Sequence, residues 1–166
     1  MIEPLTIAFF DAVRPPMLEP VSDWANSNRI LSPEAAATPG RFDINVTPFM
    51  REIADAMGDR RIPEVRVMKS SQVAYSENLN NVIARNIIQD PGPIMMMQPT
   101  LEMAESYSKD RIAPMIRDTP SLSALIDDKS KTSGNTILQK NFPGGLLRLV
   151  GANSPASLAS RPVRDV

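Results

Sequence analysis

Apolar residues recur three and four positions apart in several parts of the chain, and this spacing predicts amphipathic helices. The clearest stripe predicts a helix from about 76 to 89 and consists of Leu79, Val82, Ile83 and Ile87. Similar spacing predicts further helices at 48–58, from 101 to Pro114, in a short segment from Pro120, and at 155–160. Pro114 is expected to end or kink its helix, because proline has no N–H to donate.

Two short segments between these helices have the pattern of strands. Residues 64–68 alternate, with Val65 and Val67 on one face, and residues 94–97 form a continuous apolar run that is typical of a strand buried on both faces. Nearer the carboxyl terminus, 136–142 and 146–150 flank Pro143-Gly144-Gly145, which is a hairpin signature.

The order of strand, helix, strand, helix and hairpin favours an α/β fold with a largely parallel sheet, because parallel neighbours need helical crossovers. Ligands in such sheets bind beyond the carboxyl ends of the strands. The segment VMKSSQVAYSEN, residues 67–78, lies at one of these ends, between the first predicted strand and the helix after it. It is therefore the first candidate for a binding site.

The composition excludes several classes of enzyme. The chain has 166 residues with no cysteine and no histidine, so it cannot form a disulfide, a cysteine-ligated zinc site or a Ser-His-Asp triad. The formal net charge of −1 argues against a surface coated in basic residues. The opening segment has an apolar patch but no basic region before it. We therefore expect neither a signal peptide nor a membrane span, and a soluble protein of the cytoplasm.

The segment 69–76 departs from the usual phosphate-binding loop. That loop has Gly, four residues, Gly, Lys and then Ser or Thr, and this chain has Lys69, Ala74, Tyr75 and Ser76 at the four defined places. Most of the binding in such a loop is made by backbone N–H groups and by the start of the following helix, which other residues can also supply. Ser76 is placed to ligate Mg²⁺, and Lys69 could reach over the loop to the phosphates.

Ala74 is the more serious departure, because glycine adopts backbone conformations that cost other residues about 1 kcal/mol or more. A methyl group at this place could also crowd a phosphate. On the residues alone, an ordinary capped turn between strand and helix is favoured over a nucleotide loop, and the question stays open.

Four segments resemble the large terminase subunit of tailed bacteriophages, in its lambda-like branch. They are WANSNRILSPEAAATPGRF, VMKSSQVAYSENL, DPGPIMMMQPTLEMAESYSKDRIAPMIRDTPSL and SGNTILQKNFPGGLLRLVGANSPASLASRPVRDV. The resemblance runs from about Trp24 to the last residue, with the segments in order. It implies an incomplete P-loop NTPase core of the RecA type, in which a mostly parallel sheet has flanking helices and a β-hairpin.

The resemblance also implies roles for the loop. Several members of the branch have a lysine at the first position and a tyrosine before the final serine, so Lys69 is implied to be the phosphate lysine, Ser76 the Mg²⁺ ligand and Tyr75 an accepted variant. Ala74 stands where the family has glycine, which predicts weak nucleotide binding. The predicted ATP site consists of Lys69, Ser70, Ser71, Gln72, Val73, Ala74, Tyr75 and Ser76.

Further positions follow from the resemblance. Gln98-Pro99-Thr100 is implied to end the second core strand, and Gly151-Ala152-Asn153 to end a later strand near the site. Phe49 is a candidate for contacting adenine, although its spacing favours a place in the core of a helix. Leu125-Ile126-Asp127-Asp128 could be an acidic strand end, but its helical spacing after Thr119-Pro120 favours a helix end with solvated acids.

Residues 1–22 contain four prolines and show no sustained period, which predicts a loosely ordered arm. The resemblance makes 23–166 the amino-terminal portion of the ATPase domain. The acidic strand of the family would begin at 164–166, so the chain is predicted to stop before the carboxylates that hold Mg²⁺ and activate water, and before the nuclease domain. No catalytic residue is assigned. We therefore expect a truncated DNA-packaging motor subunit that binds ATP and Mg²⁺ weakly and does not hydrolyse ATP alone.

The family implies double-stranded phage DNA, the small terminase subunit and the portal protein as partners, in the cytoplasm of the host. A second hypothesis is a non-enzymatic interaction fragment from a degraded prophage gene, which docks to the small subunit or to other packaging partners through the arm at 1–22. A third is that the chain is not stably folded alone, because a parallel sheet that lacks a strand has an open edge.

Overall fold

The central sheet has three strands in the computed structural model, which describes residues 18–126, 134–153 and 163–165. A separate antiparallel pair consists of β1 (Ile30–Leu31) and β2 (Gly40–Arg41). The central strands are β3 (Pro93–Gln98), β4 (Gln139–Phe142) and β5 (Gly145–Gly151). Their spatial order is β3-β5-β4, with β3 parallel to β5 and β4 antiparallel to β5. The predicted α/β class is confirmed, with a small mixed sheet in the described part of the chain.

Six α-helices accompany the strands within the described residues. They are α1 (Val21–Asn28), α2 (Arg51–Gly58), α3 (Tyr75–Gln89), α4 (Leu101–Tyr107), α5 (Ala113–Asp118) and α6 (Pro120–Ser123). Short 3₁₀ turns at Ile44–Val46 and Pro48–Met50 precede α2. The long helix α3 agrees with the helix predicted at 76–89, and α1 and α2 both pack against it. None of these helices combines the length and the apolar character that a membrane crossing requires.

One apolar core joins the sheet to the helices. Its members come from helices, from the turns between them and from the central strands. The bulkiest fully buried apolar ones are Trp24, Ile44, Ile87, Ile112, Leu122, Leu147 and Leu149. Burying an aliphatic or aromatic side chain of this size contributes about 1.5 to 3 kcal/mol, so this cluster holds α3 and the sheet together.

The hairpin predicted at Pro143-Gly144-Gly145 is confirmed, and it joins β4 to β5. Gly144 has φ of +84°, a conformation that glycine adopts without the steric cost of a side chain. At Gly145 an added Cβ would overlap the backbone of Gly92. The two glycines therefore allow β5 to start directly beside the segment that leads into β3.

Residues 164 and 165 contact the other edge of β3. Asp165 forms an isolated parallel bridge with Ile94, and the Met95 N–H donates to the Asp165 carbonyl oxygen at 2.8 Å. Ion pairs fix this contact, since Arg60 lies 2.8 Å from the Asp165 carboxylate and Arg164 lies 3.0 Å from Asp90. Strand β3 therefore has parallel partners on both sides at its start.

The strand predicted at 64–68 is wrong, because these residues have no regular secondary structure. Their side chains lie mostly in solvent: Met68 is fully exposed, and Glu64 and Arg66 pair with each other at 2.8 Å. An alternating pattern needs a neighbouring ladder before it becomes a strand. Within the described residues, β3 pairs with strand β5 on one side and with Asp165 on the other, and not with residues 64–68.

The helix predicted at 48–58 forms, but its buried face differs from the predicted one. Met50 and Ala54 are buried, whereas Phe49 is 59% exposed. The reason is that Pro48–Met50 is a 3₁₀ turn rather than the first turn of α2, and its tighter winding changes the direction of its side chains. The favoured interpretation of Phe49 as a residue of the helix core is therefore wrong.

Pro114 does not end its helix. A π-helical turn at Ser108–Ile112 follows α4 and leads directly into α5, where the N–H of Ala113 donates to the carbonyl of Ser108, five residues back. Pro114 lies in the first turn of α5, where a missing N–H is best tolerated. At the other end, Thr100 caps α4, and its hydroxyl accepts from the N–H of Met103 at 3.2 Å.

Some of the predicted segments lie partly or wholly outside the described residues. Helix α1 begins at Val21, and Val21 and Ser22 are buried, so the last two residues assigned to the arm belong to a helix. Residues 1–17 and 155–160, together with Asp127 and Asp128, lie outside the described residues.

Candidate functional site

The backbone bends between Lys69 and the start of α3. Gln72 and Ala74 both have φ of +59°, and no other non-glycine residue in the described ranges has a positive φ. Ala74 immediately precedes α3 and has ψ of 15°, in the left-handed region. Left-handed residues in a loop allow neighbouring N–H groups to converge on an anion. The bend therefore places two non-glycine residues in a backbone region that glycine usually occupies.

Ala74 adopts a conformation that favours glycine. The left-handed region brings Cβ close to the carbonyl oxygen, which costs an L-residue about 1 to 2 kcal/mol. The resemblance implies glycine at this position, and the backbone here has the shape that a glycine would adopt freely. The expected penalty of alanine is thus visible as a strained dihedral angle next to α3.

The side chain of Lys69 folds back over the loop. Its ammonium nitrogen lies 5.2 Å from the centre of the Tyr75 ring and donates to the carbonyl oxygen of Ser70 at 3.3 Å. A cation at this distance from an aromatic face is attracted by about 0.5 to 1 kcal/mol at an exposed site. Partial burial raises the pKa of the Tyr75 hydroxyl, so the ring is neutral at physiological pH. The one lysine of the loop is therefore held beside the helix start.

Ser76 lies in the first turn of α3 and is exposed. No side chain caps this helix at Ala74, and the Ser76 hydroxyl has no hydrogen-bond partner among the described residues. The first N–H groups of a 15-residue helix carry a partial positive charge, which favours an anion at this end. The hydroxyl and these N–H groups are thus available together to a phosphate and its cation.

A groove of about 700 Å³ runs between α3 and β3. Tyr75 lines it from the helix and Gln98 from the end of the strand. The rest of the lining is mixed: apolar residues such as Leu79 and Met96 lie beside polar ones such as Arg164. The other loop residues from 69 to 76 do not line this groove. An anion at the bend would therefore be held by the loop itself, with the groove opening beside Tyr75.

The two strand ends implied by the resemblance lie side by side. Gln98 ends β3, Gly151 ends β5, and the two residues are paired in the parallel ladder. The N–H of Ala152 donates to the Gln98 carbonyl oxygen at 2.8 Å. A Cβ on Gly151 would lie 2.5 Å from the backbone nitrogen of Leu101, so glycine allows β5 to end against the start of α4. Gln98 and Tyr75 line the same groove, so the end of β3 and the start of α3 border one space.

A buried ion pair lies directly behind the loop. The side chain of Arg29 is 2% exposed, and its guanidinium lies 2.8 Å from the Glu77 carboxylate, in the first turn of α3. Its Nε donates to Asn81 at 2.9 Å and its Nη1 to the Thr119 hydroxyl at 3.2 Å. Burial lowers the pKa of Arg29, and the charge of Glu77 opposes that effect. Arg29 thus joins the end of α1 to both α3 and α6.

Tyr107 and Arg111 bind the same turn of α3 from another side. The Tyr107 hydroxyl lies 2.9 Å from the Asn80 side-chain oxygen and 3.2 Å from the Ser76 carbonyl oxygen, and Arg111 lies 3.4 Å from the Glu77 carboxylate. Sequence patterns did not identify this network, because its pairs are separated by 27 to 90 residues along the chain. The one available signal is that an arginine beside an apolar stretch needs a partner if it is buried.

Other predicted site residues are placed as follows. Phe49 is exposed on its 3₁₀ turn, so its ring is accessible. Leu122 and Ile126 are buried at helical spacing, which agrees with a helix end rather than a strand. The described residues contain no group of three or more acidic side chains that could hold a metal ion by themselves. A cation at Ser76 would therefore depend on the ligand for most of its oxygens.

Comparison with known proteins gives one consistent result. Residues 36–166 match the family model described as "Phage terminase large subunit gpA, ATPase domain". Over 124 residues the chain is 39% identical to the large terminase subunit of Escherichia phage lambda and 34% identical to that of Enterobacteria phage P21. Each alignment covers 74% of this chain and 19% of the relative, so the chain spans about one fifth of the length of these relatives. No solved structure matches it.

Proposed function

This chain belongs to the family of phage terminase large subunits, in the part that forms their ATPase domain, and on that premise we propose that the bend from Lys69 to Ser76 binds the phosphates of ATP. The observation that carries the proposal is the pair of left-handed residues, Gln72 and Ala74, directly before an uncapped long helix. An ordinary turn into a helix does not need two strained dihedral angles. A loop that wraps around an anion does.

Each part of the loop has a role in this proposal. The backbone N–H groups of 70–76 surround the phosphates, and the ammonium group of Lys69 neutralises their charge from above. The Ser76 hydroxyl ligates Mg²⁺, which supplies charge neutralisation between phosphate oxygens when it is bound. Phe49, exposed before α2, offers an aromatic face to the base.

Binding without turnover is the activity that we propose for this chain. The described residues contain no group of three or more acidic side chains that could hold Mg²⁺. We also assign no residue of the loop to the activation of water. Hydrolysis, DNA translocation and contacts with the small subunit and portal are proposals for the whole protein, in the cytoplasm of the host. The core then has the P-loop NTPase architecture, and the bridge of Asp165 to Ile94 lies at one edge of β3.

The test is a titration with a fluorescent ATP analogue in the presence of Mg²⁺. We expect saturable binding that Lys69→Ala weakens by about tenfold, since a charge-assisted contact to phosphate contributes about 1.5 to 3 kcal/mol. Lys109→Ala is the matched control, because Lys109 is also exposed but pairs with Glu105, at 3.9 Å, and not with a residue of the loop. Equal loss in both variants, or no binding by the unaltered chain, would overturn the proposal.

A further inference from the structure

The first turn of α3 is held by four side chains from three other parts of the chain. Arg29 and Arg111 both contact the Glu77 carboxylate, at 2.8 and 3.4 Å. Thr119 fixes Arg29 from the start of α6, at 3.2 Å. Tyr107, the last residue of α4, reaches the carbonyl oxygen of Ser76 at 3.2 Å. The contacts of Arg29, Arg111 and Tyr107 fall on Ser76 or Glu77, and Thr119 acts through Arg29.

The loop itself is held much more loosely. Apart from the bond from the Lys69 ammonium to the Ser70 carbonyl, the side chains of 69–74 make no hydrogen bonds to other described residues. Val73 packs against the apolar core, and the polar contacts that position the loop are those of the turn into which it runs. A change in that turn would move the Ser76 hydroxyl and the N–H groups beside it together.

A charged pair is a poor choice if stability alone is required. Removing two charges from water costs several kcal/mol per ion, and well-packed apolar side chains often stabilise a buried site as well or better. What the pair adds is direction: the planar guanidinium of Arg29 donates to Glu77, Asn81 and Thr119 at fixed angles. Tyr107 is directional in the same way. Burial raises its pKa far above the usual value, so its hydroxyl keeps its proton at physiological pH.

We infer that Arg29 and Tyr107 are positioning residues for Mg²⁺–phosphate binding, which act through Glu77 and through the backbone of Ser76. They orient the first turn of α3 before the ligand arrives, so that the Ser76 hydroxyl points toward the cation. This inference rests on the proposed function of the loop. Neither residue touches the ligand.

Tyr107→Phe tests the inference, because it removes one hydroxyl and keeps the ring. Affinity for the fluorescent ATP analogue is measured with Mg²⁺ and with EDTA, and the ratio of the two reports the contribution of the cation. We expect this ratio to be about threefold lower in the variant, which is the effect of losing one hydrogen bond. Its affinity in EDTA should stay within about twofold of that of the unaltered chain. Arg29→Lys, which keeps the charge but loses the planar fork, should lower the ratio in the same direction.

Ser108→Ala is the control for packing. Ser108 is buried beside Tyr107 in sequence, and its hydroxyl donates to the carbonyl of Ile137 rather than to α3. It should lower the melting temperature without changing the ratio. A normal ratio in Tyr107→Phe, or the same fall in Ser108→Ala, overturns the inference. If the unaltered chain binds without dependence on Lys69, or not at all, the proposed function fails and the inference with it. If binding depends on Lys69 but not on Tyr107, the inference alone fails.

Discussion

The ammonium nitrogen of Lys69 lies 5.2 Å from the centre of the Tyr75 ring, and this contact holds the lysine beside the start of α3. We predict that Tyr75→Phe keeps nucleotide affinity within about twofold, because phenylalanine offers a similar aromatic face. Tyr75→Leu keeps apolar bulk but loses the face, and should bind about two- to fivefold more weakly. The measurement is the titration in Mg²⁺. Equal affinity in the two variants would mean that the ring does not position Lys69.

Ala74→Gly should stabilise the chain. Glycine relieves the left-handed strain at φ of +59°, and the gain exceeds its own entropic cost, so we expect about 0.5 to 1 kcal/mol in urea denaturation. The same variant should bind ATP more tightly, because the methyl group no longer faces the phosphates.

The matched control for that variant is Ala56→Gly. Ala56 lies in the interior of α2, where glycine costs about 1 kcal/mol relative to alanine. The two identical substitutions should thus change stability in opposite directions. If both destabilise the chain, the left-handed conformation of Ala74 is wrong.

Glu77→Ala should be strongly destabilising. It leaves the guanidinium of Arg29, 2% exposed, without its carboxylate, and removing one partner of a buried pair costs about 3 to 5 kcal/mol. Glu64→Ala removes an exposed partner of Arg66 and should cost less than about 1 kcal/mol. Denaturation midpoints of the two variants compare the pairs directly. Similar small losses would show that Arg29 is solvated.

Acid should release a contact at the end of α2. Arg61 donates to the Asp59 carboxylate and lowers the pKa of Asp59 from 3.8 to about 2. Because folding lowers this pKa, the contribution to stability is complete above about pH 4 and is lost as the pH falls through about 2. An NMR titration that follows the carboxyl carbon of Asp59 should give a midpoint of about 2, and Arg61→Gln should raise this midpoint toward 3.8. An unchanged midpoint in Arg61→Gln would rule out Arg61 as the cause.

Local patterns predicted much of the fold, because some segments are determined by their own residues. The apolar stripe of α3 gave a helix to within one residue of its observed start at Tyr75, and Pro143-Gly144-Gly145 gave the turn between β4 and β5. Where a feature depends on distant partners, the patterns failed. Residues 64–68 alternate but have no ladder, and Phe49 lies on a 3₁₀ turn that the spacing did not reveal.

The candidate site shows the same division. Residue order made the segment 69–76 a candidate, the family resemblance implied its roles, and those roles remain predictions. The pair of Arg29 and Glu77 could not be predicted, since 48 residues separate its members and no local pattern connects them. Family resemblance identified the chain as a terminase large subunit, which the comparisons confirm. It did not indicate what holds the first turn of α3.

The most direct test of the phosphate loop is the set of backbone amide shifts in a ¹⁵N-labelled sample titrated with Mg²⁺–ATP. We predict that the largest changes fall on the amides of 70–76, with smaller ones along the first turn of α3, and that Lys69→Ala abolishes them. Changes that are absent, or that lie away from this loop in both proteins, would contradict the assignment of ATP to it.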